Sequence, residues 1–151
     1  MANKRWFRPR FVCTAALVVV LAGAVRAGEP RVAAPTVEQH VALSVELLEA
    51  SVAEWQERVA LAAAEMDAEA RDKARASIAS KYKAVRDSLY ERYQTTQLSH
   101  LAFAGAHRAD IEAYLDDTPD VKARIDSLTQ TLRSLISQHE ASGRAQQGAG
   151  Q

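Results

Sequence analysis

The chain has 151 residues, with 19 basic and 19 acidic side chains, a single cysteine and only 6% aromatic residues. Five of the basic residues and the cysteine fall within the first 27 positions; the remainder holds fourteen basic against nineteen acidic residues, a net charge of −5, and no thiol. A mildly acidic chain gains no long-range attraction for nucleic acid, and without a thiol it has no disulfide, zinc-thiolate or cysteine-nucleophile chemistry.

Lys4, Arg5, Arg8 and Arg10 form a basic start, Phe11 to Val25 is apolar, and Val25-Arg26-Ala27 ends in a small residue before Gly28. This three-part order predicts a secretory signal peptide over 1–27, cleaved after Ala27, and so a periplasmic or secreted protein. The apolar stretch is shorter than the about 20 residues that a membrane-spanning helix needs, so no stable membrane span is expected after cleavage. Residues 28–35, with Pro30 and Pro35, read as an extended leader.

Between Pro35 and Pro119 there is no proline and only one glycine, Gly105, in a run rich in helix formers. Thr36 and Gln39 have the spacing of a capping box, which opens a first helix. From Val41 the apolar positions Val45, Leu48, Val52, Trp55, Val59, Ala62 and Met66 follow at alternating steps of four and three, the seam of a helix that packs lengthwise on another. Residues 65–75 keep helical composition, with Asp67/Arg71 and Glu69/Lys73 as i,i+4 pairs. A reversal is expected around 76–80, after which Ile78, Tyr82, Val85, Leu89 and Tyr93 resume the apolar spacing. These features predict an antiparallel hairpin of 36–75 and 78–93. The alternative is one helix over 36–93, about 87 Å long at 1.5 Å per residue, which would need a partner chain.

Thr95-Thr96 predicts the next break, and a third helix follows over 97–116, loosened at Gly105. Thr118 as N-cap and Pro119 at the first helical position start a fourth, along which Val121, Ile125, Leu128, Leu132 and Leu135 continue the four-three spacing and His139 takes the next seam position. The expected architecture is all-α: a small bundle of three to four helices built from two antiparallel helical hairpins. It forms a single helical domain over 36–141, with 142–151, SGRAQQGAG preceding the final Gln151 in this stretch, as a flexible tail.

Tyr93, His100, His107 and Tyr114 recur every seven residues. Seven residues span about 10.5 Å of helix axis, so His100 and His107 cannot grip one metal ion from a single helix. His107 with Asp110, at i,i+3, has chelating spacing but makes half a site, which His40 or His139 would have to complete. Tyr114-Leu115 followed by Pro119 and Val121 resembles secreted actinobacterial haemophore domains over a short stretch, without the cysteines of that family. A haem or other flat aromatic ligand held by His100, His107 or Tyr114 is a further reading of the stripe, so small-ligand binding, metal or haem, at the His100/His107 region is the alternative function.

The serines sit in helical or tail contexts without a strand-turn-helix elbow, and no glycine-rich phosphate loop occurs. The chain is therefore not expected to be an enzyme, and no cofactor is expected. What remains is contact through surfaces. Trp55, Tyr82, Tyr90 and Arg86 are the candidate partner-binding residues, the last three lying among Lys81, Lys83 and Arg92 on a basic and aromatic face suited to an acidic partner. The expected function is that of an exported small helical protein acting by protein–protein contact, as an adaptor or chaperone-like protein. Its partner would be another envelope or secreted protein, or a second copy joined through the Val41–Met66 seam.

Overall fold

Helix is the only regular structure among the residues described, 35–148, of the computed structural model, which belong to one unit, Val32–Gln151. The signal peptide expected over 1–27 and nearly all of the expected leader lie outside the described residues. Five helices follow one another: α1 Val37–Ala63, α2 Ala68–Arg92, α3 Gln97–Ala106, α4 Arg108–Asp117 and α5 Pro119–Gly148.

The capping box opens α1 as expected. The Thr36 hydroxyl accepts from the Gln39 amide at 3.2 Å while the Thr36 amide donates to the Gln39 side chain at 3.1 Å. The first reversal comes earlier than the sequence predicts. The chain leaves α1 at Ala64 and re-enters helix at Ala68, with Asp67 as the N-cap accepting from the Ala70 amide at 2.8 Å. Helical composition over 65–75 cannot tell a helix interior from a helix start, because acidic residues before basic ones also suit the positive end of a helix dipole. Length decides. A break at 64–67 gives arms of 27 and 25 residues that cover one another from end to end, whereas a break at 76–80 would leave the end of a long first arm bare. Asp67→Ala should therefore lower stability by about 1 kcal/mol, read as a shift in urea midpoint with unchanged slope.

The α1–α2 hairpin is antiparallel, since partners on α2 descend as those on α1 ascend: Arg92 meets Glu46, Arg86 meets Glu54 and Lys81 meets Glu57. α2 closes in a double-bonded left-handed cap. The Thr95 amide donates to the Tyr90 carbonyl and the Gln94 amide to the Glu91 carbonyl, both at 2.9 Å, with Gln94 at φ 50° where glycine is usual. Thr96 then caps α3, its hydroxyl accepting from the Ser99 amide at 3.1 Å. Tyr93 is thereby left at the C-cap of α2, off the helix that carries His100, as the paired threonines predict.

The third predicted helix divides at His107 rather than at Gly105, into α3 and α4. A Cβ placed on Gly105 would meet nothing within 4 Å, so this glycine weakens the helix without serving a close contact. Thr118 holds the expected N-cap position of α5 through its carbonyl, which accepts from Lys122, but its hydroxyl donates back to the Tyr114 carbonyl at 2.6 Å and ties α4 down. α5 remains helical through 142–148, where the sequence predicts a tail; the Ser142 hydroxyl donates to the Gln138 carbonyl at 3.0 Å.

In place of a self-contained second hairpin, α5 runs along α1, with Arg124 paired to Glu49 and the ring of His139 against Trp55. α1 is thus the central element, packed by α2 and α5 along its length and by α3 and α4 near its start. Among the described residues the buried apolar side chains lie on α1 and α2, at Val41, Leu43, Val52, Tyr82 and Leu89, with Leu43 the most deeply buried. The α5 seam at Val121, Ile125, Leu128, Leu132 and Leu135 is only half-buried.

Candidate functional site

The capping box sets where α1 begins and so brings His40 onto its first turn, while the turn after α2 delivers α3 across that same end. His100 and Phe103 of α3 then stack on His40. The His40 and His100 ring centroids lie 4.0 Å apart with 26° between planes, and Phe103 lies 5.0 Å from His40 at 30°. Phe103 stacks in turn on His107, at 4.2 Å and 25°, and Tyr90 of α2 meets His100 edge-on at 6.3 Å. Five rings from α1, α2 and the α3–α4 junction thus form one continuous cluster.

Its hydrogen bonding sets the tautomer of one member. The Ser44 hydroxyl donates to the His40 carbonyl at 2.9 Å, leaving its oxygen to accept from Nε2–H of His100 at 3.3 Å. His40 itself is buried at 6% exposure, and its Nδ1 has no hydrogen-bond partner. Burial, reinforced by the fields of His100 and His107, lowers the His40 pKa from 6.5 to about 4; burial also lowers that of His100. Both imidazoles are therefore neutral near pH 7, the state in which stacked rings do not repel.

His107 and Asp110, the pair expected as half a metal site, bond directly to one another, Nδ1 to Oδ2 at 3.1 Å. The structure brings His40 to His100 and His107, while His139 lies at the far end of α1 beside Trp55. Imidazole lone pairs lie in the ring plane, so rings stacked face to face aim their nitrogens side by side rather than at a common ion. Among the described residues no group of three or more His, Cys, Asp or Glu side chains is arranged to hold a metal.

The candidate partner-binding residues take different positions from those expected. Tyr82 is buried, and its hydroxyl donates to Glu57 at 2.8 Å. Arg86 reaches across the hairpin to Glu54 at 2.6 Å, and Glu54 also accepts from Arg58 of its own helix. Arg92 and the Tyr93 hydroxyl both donate to Glu46, each at 2.7 Å. The acidic partner that this basic and aromatic face calls for is therefore α1 of the same chain. Burial alone would raise the Glu54 carboxyl, but the hydrogen bonds from Arg58 and Arg86 outweigh it and hold the pKa below the ordinary carboxylate value. Burial and the Glu57 carboxylate together raise that of Tyr82.

Trp55 is half-buried, with His139 edge-on at 5.4 Å and the Arg58 guanidinium 5.6 Å from its ring centre. Tyr90 is also half-buried, held in the ring cluster. Sequence reasoning missed the central place of His40, which lies sixty residues before His100, and of Phe103, although Phe103 falls between His100 and His107 at steps of three and four. It also missed the Glu46, Glu54 and Glu57 row, whose steps of eight and three residues along α1 are a legible signal once an antiparallel basic helix is set beside it.

No protein-family model, curated protein or solved structure matches the chain. The short likeness to haemophore domains around Tyr114 and Pro119 thus gains no support from any family match.

Proposed function

We propose that this is an exported small helical protein that acts by protein–protein contact, as an adaptor or chaperone-like protein, without catalysis. The observation that carries the reading is the outer face of α3. Leu98 and Leu101 are 78% and 60% exposed, while His100 and Phe103 of the same helix are engaged with α1. Two large apolar side chains one helical turn apart, held out on a short helix, offer an anchor for a partner's apolar side chains. The half-buried α5 seam adds apolar surface that a partner could cover. The stacked arrangement of His40 and His100 favours protein contact over shared metal chelation at that place, because stacked rings aim their nitrogens side by side rather than at one ion. Among the described residues no helix is long and apolar enough to cross a membrane, which is compatible with release after signal cleavage.

The test is the Leu98→Ser/Leu101→Ser protein in an assay of aggregation suppression with a model client. Suppression should fall several-fold, while stability changes by no more than about 0.5 kcal/mol, as expected of surface positions. Undiminished suppression by the doubly substituted protein, or none by the unaltered one, would count against the reading.

A further inference from the structure

At the end of α1 remote from the ring cluster, the last turns of α1, the first turns of α2 and the side chain of His139 on α5 enclose a cavity of about 90 Å³. Its polar side chains are all basic or imidazole, Arg58, Arg71, Arg75 and His139, joined by Leu61 and Ala62. No carboxylate lines it, although the chain beyond residue 27 is acidic overall.

The three guanidiniums are unequally neutralised. Arg58 pairs with Glu54 at 2.6 Å, but that carboxylate is shared with Arg86. Arg75 pairs with Asp72 at 3.3 Å, on a side chain that is 54% exposed. Arg71 pairs with no carboxylate among the described residues. Its Nη2 reaches the Ala64 and Met66 carbonyls only at 3.4 Å, long for such bonds, and its Nε–H is buried without an acceptor. A permanently charged donor left in that state loses hydration with no full return, which an anion in the cavity would supply. Guanidinium groups suit oxyanions in particular, because their planar pairs of N–H groups match two oxygens at once. The cavity has room for several waters or one tetrahedral oxyanion.

We propose that this cavity is an oxyanion-binding site that takes a phosphate group, with Arg71 as its principal ligand and Arg58, Arg75 and His139 completing the wall. Neither Arg71 nor Arg75 belongs to the ring cluster or to the exposed face of α3, so the site is independent of the contact surface above.

The experiment is titration of the purified protein with inorganic phosphate and, separately, with glycerol phosphate as a phosphate monoester. It is read by thermal shift and by the NMR resonance of Arg71 Nε–H. Both readouts should move saturably, well beyond the change produced by sodium chloride at equal ionic strength. Saturation at lower concentration with the monoester assigns the site to an ester-linked phosphate, and equal saturation assigns it to the free ion. Arg71→Met, which keeps the aliphatic stem, should weaken binding at least tenfold. Arg75→Gln, at an exposed position that the fold does not depend on, should weaken it several-fold and guards against a folding defect in the first variant. A response no larger than that to chloride, an Arg71 resonance unmoved by phosphate, or undiminished binding in Arg75→Gln together with Arg71→Met overturns the proposal.

Discussion

Between pH 6.5 and pH 5 the fold should lose about 2 kcal/mol through His40, and about 3 kcal/mol once pH 4 is reached, at roughly 1.4 kcal/mol for each unit of pKa difference. The unfolded imidazole takes up its proton near the ordinary value of 6.5, whereas the buried one waits until about 4. Across that window the unfolded chain binds more protons, so stability falls as pH falls. Above the window His40 contributes no pH dependence, and below it both states are protonated and the loss is complete. His100, also lowered by burial, adds in the same direction. The groups around His40 offer it no compensation: Ser44 is bonded to His100 and to the His40 carbonyl, Tyr90 meets His100 by its edge, and Asp110 is held by His107. The upper part of the window also lies above the range in which carboxylates such as Glu54 begin to protonate, which isolates the imidazole effect. Urea unfolding at pH 7, 6 and 5 measures it. His40→Phe preserves a flat stacking ring and removes that proton site, so its stability should fall much less steeply over that range, keeping only the contribution of His100. A slope equal to that of the unaltered protein would refute the assignment to His40.

Glu54→Ala should cost about 3 kcal/mol, because it removes the one carboxylate that two arginines share at the α1–α2 interface. The Glu54 side chain is only 11% exposed, so its charge is tolerated there by virtue of its partners. Arg58 and Arg86 are each about a third exposed and regain some hydration when it is lost, which keeps the expected cost at the lower end for a broken buried pair. Arg86→Met should cost less, since Glu54 then retains Arg58 from its own helix. The combination of Glu54→Leu with Arg86→Met should recover most of the loss, because it leaves no buried charge without a partner. For a domain of this size the single change corresponds to a drop in Tm of roughly 10 °C, measurable by circular dichroism. A Glu54→Ala protein within about 0.5 kcal/mol of the original would show that the row of glutamates contributes little.

The ends of the helices were the most legible features. Thr36 with Gln39, Thr96 and Pro119 all mark helix starts in the sequence, and each begins a helix in the structure. Caps are readable because they depend on residues within one turn of each other. Asp67 carries the same local chemistry, yet the helical composition on both sides of it masked the break. The candidate site was less legible. His100, His107 and Asp110 stood out by spacing, but their meaning depended on His40, which lies some sixty positions away from the first of them and is brought there by two turns. Tyr82 and Arg86 looked like a surface for an acidic partner, since a basic face reads the same whether the acid belongs to another molecule or to a neighbouring helix.

The sequence by itself determined that the chain beyond the leader is all-α and where most of its helices begin, because capping, proline placement and apolar periodicity all act over a few residues; whether 36–93 folds back as a hairpin or runs on as one helix it left open. Only the tertiary structure decided that α1 is shared by α2 and α5, that three imidazoles converge at one end of it, and that three arginines line a cavity at the other. Those outcomes depend on which face of each helix meets which, a choice set by matched helix lengths and paired charges between segments far apart in the chain.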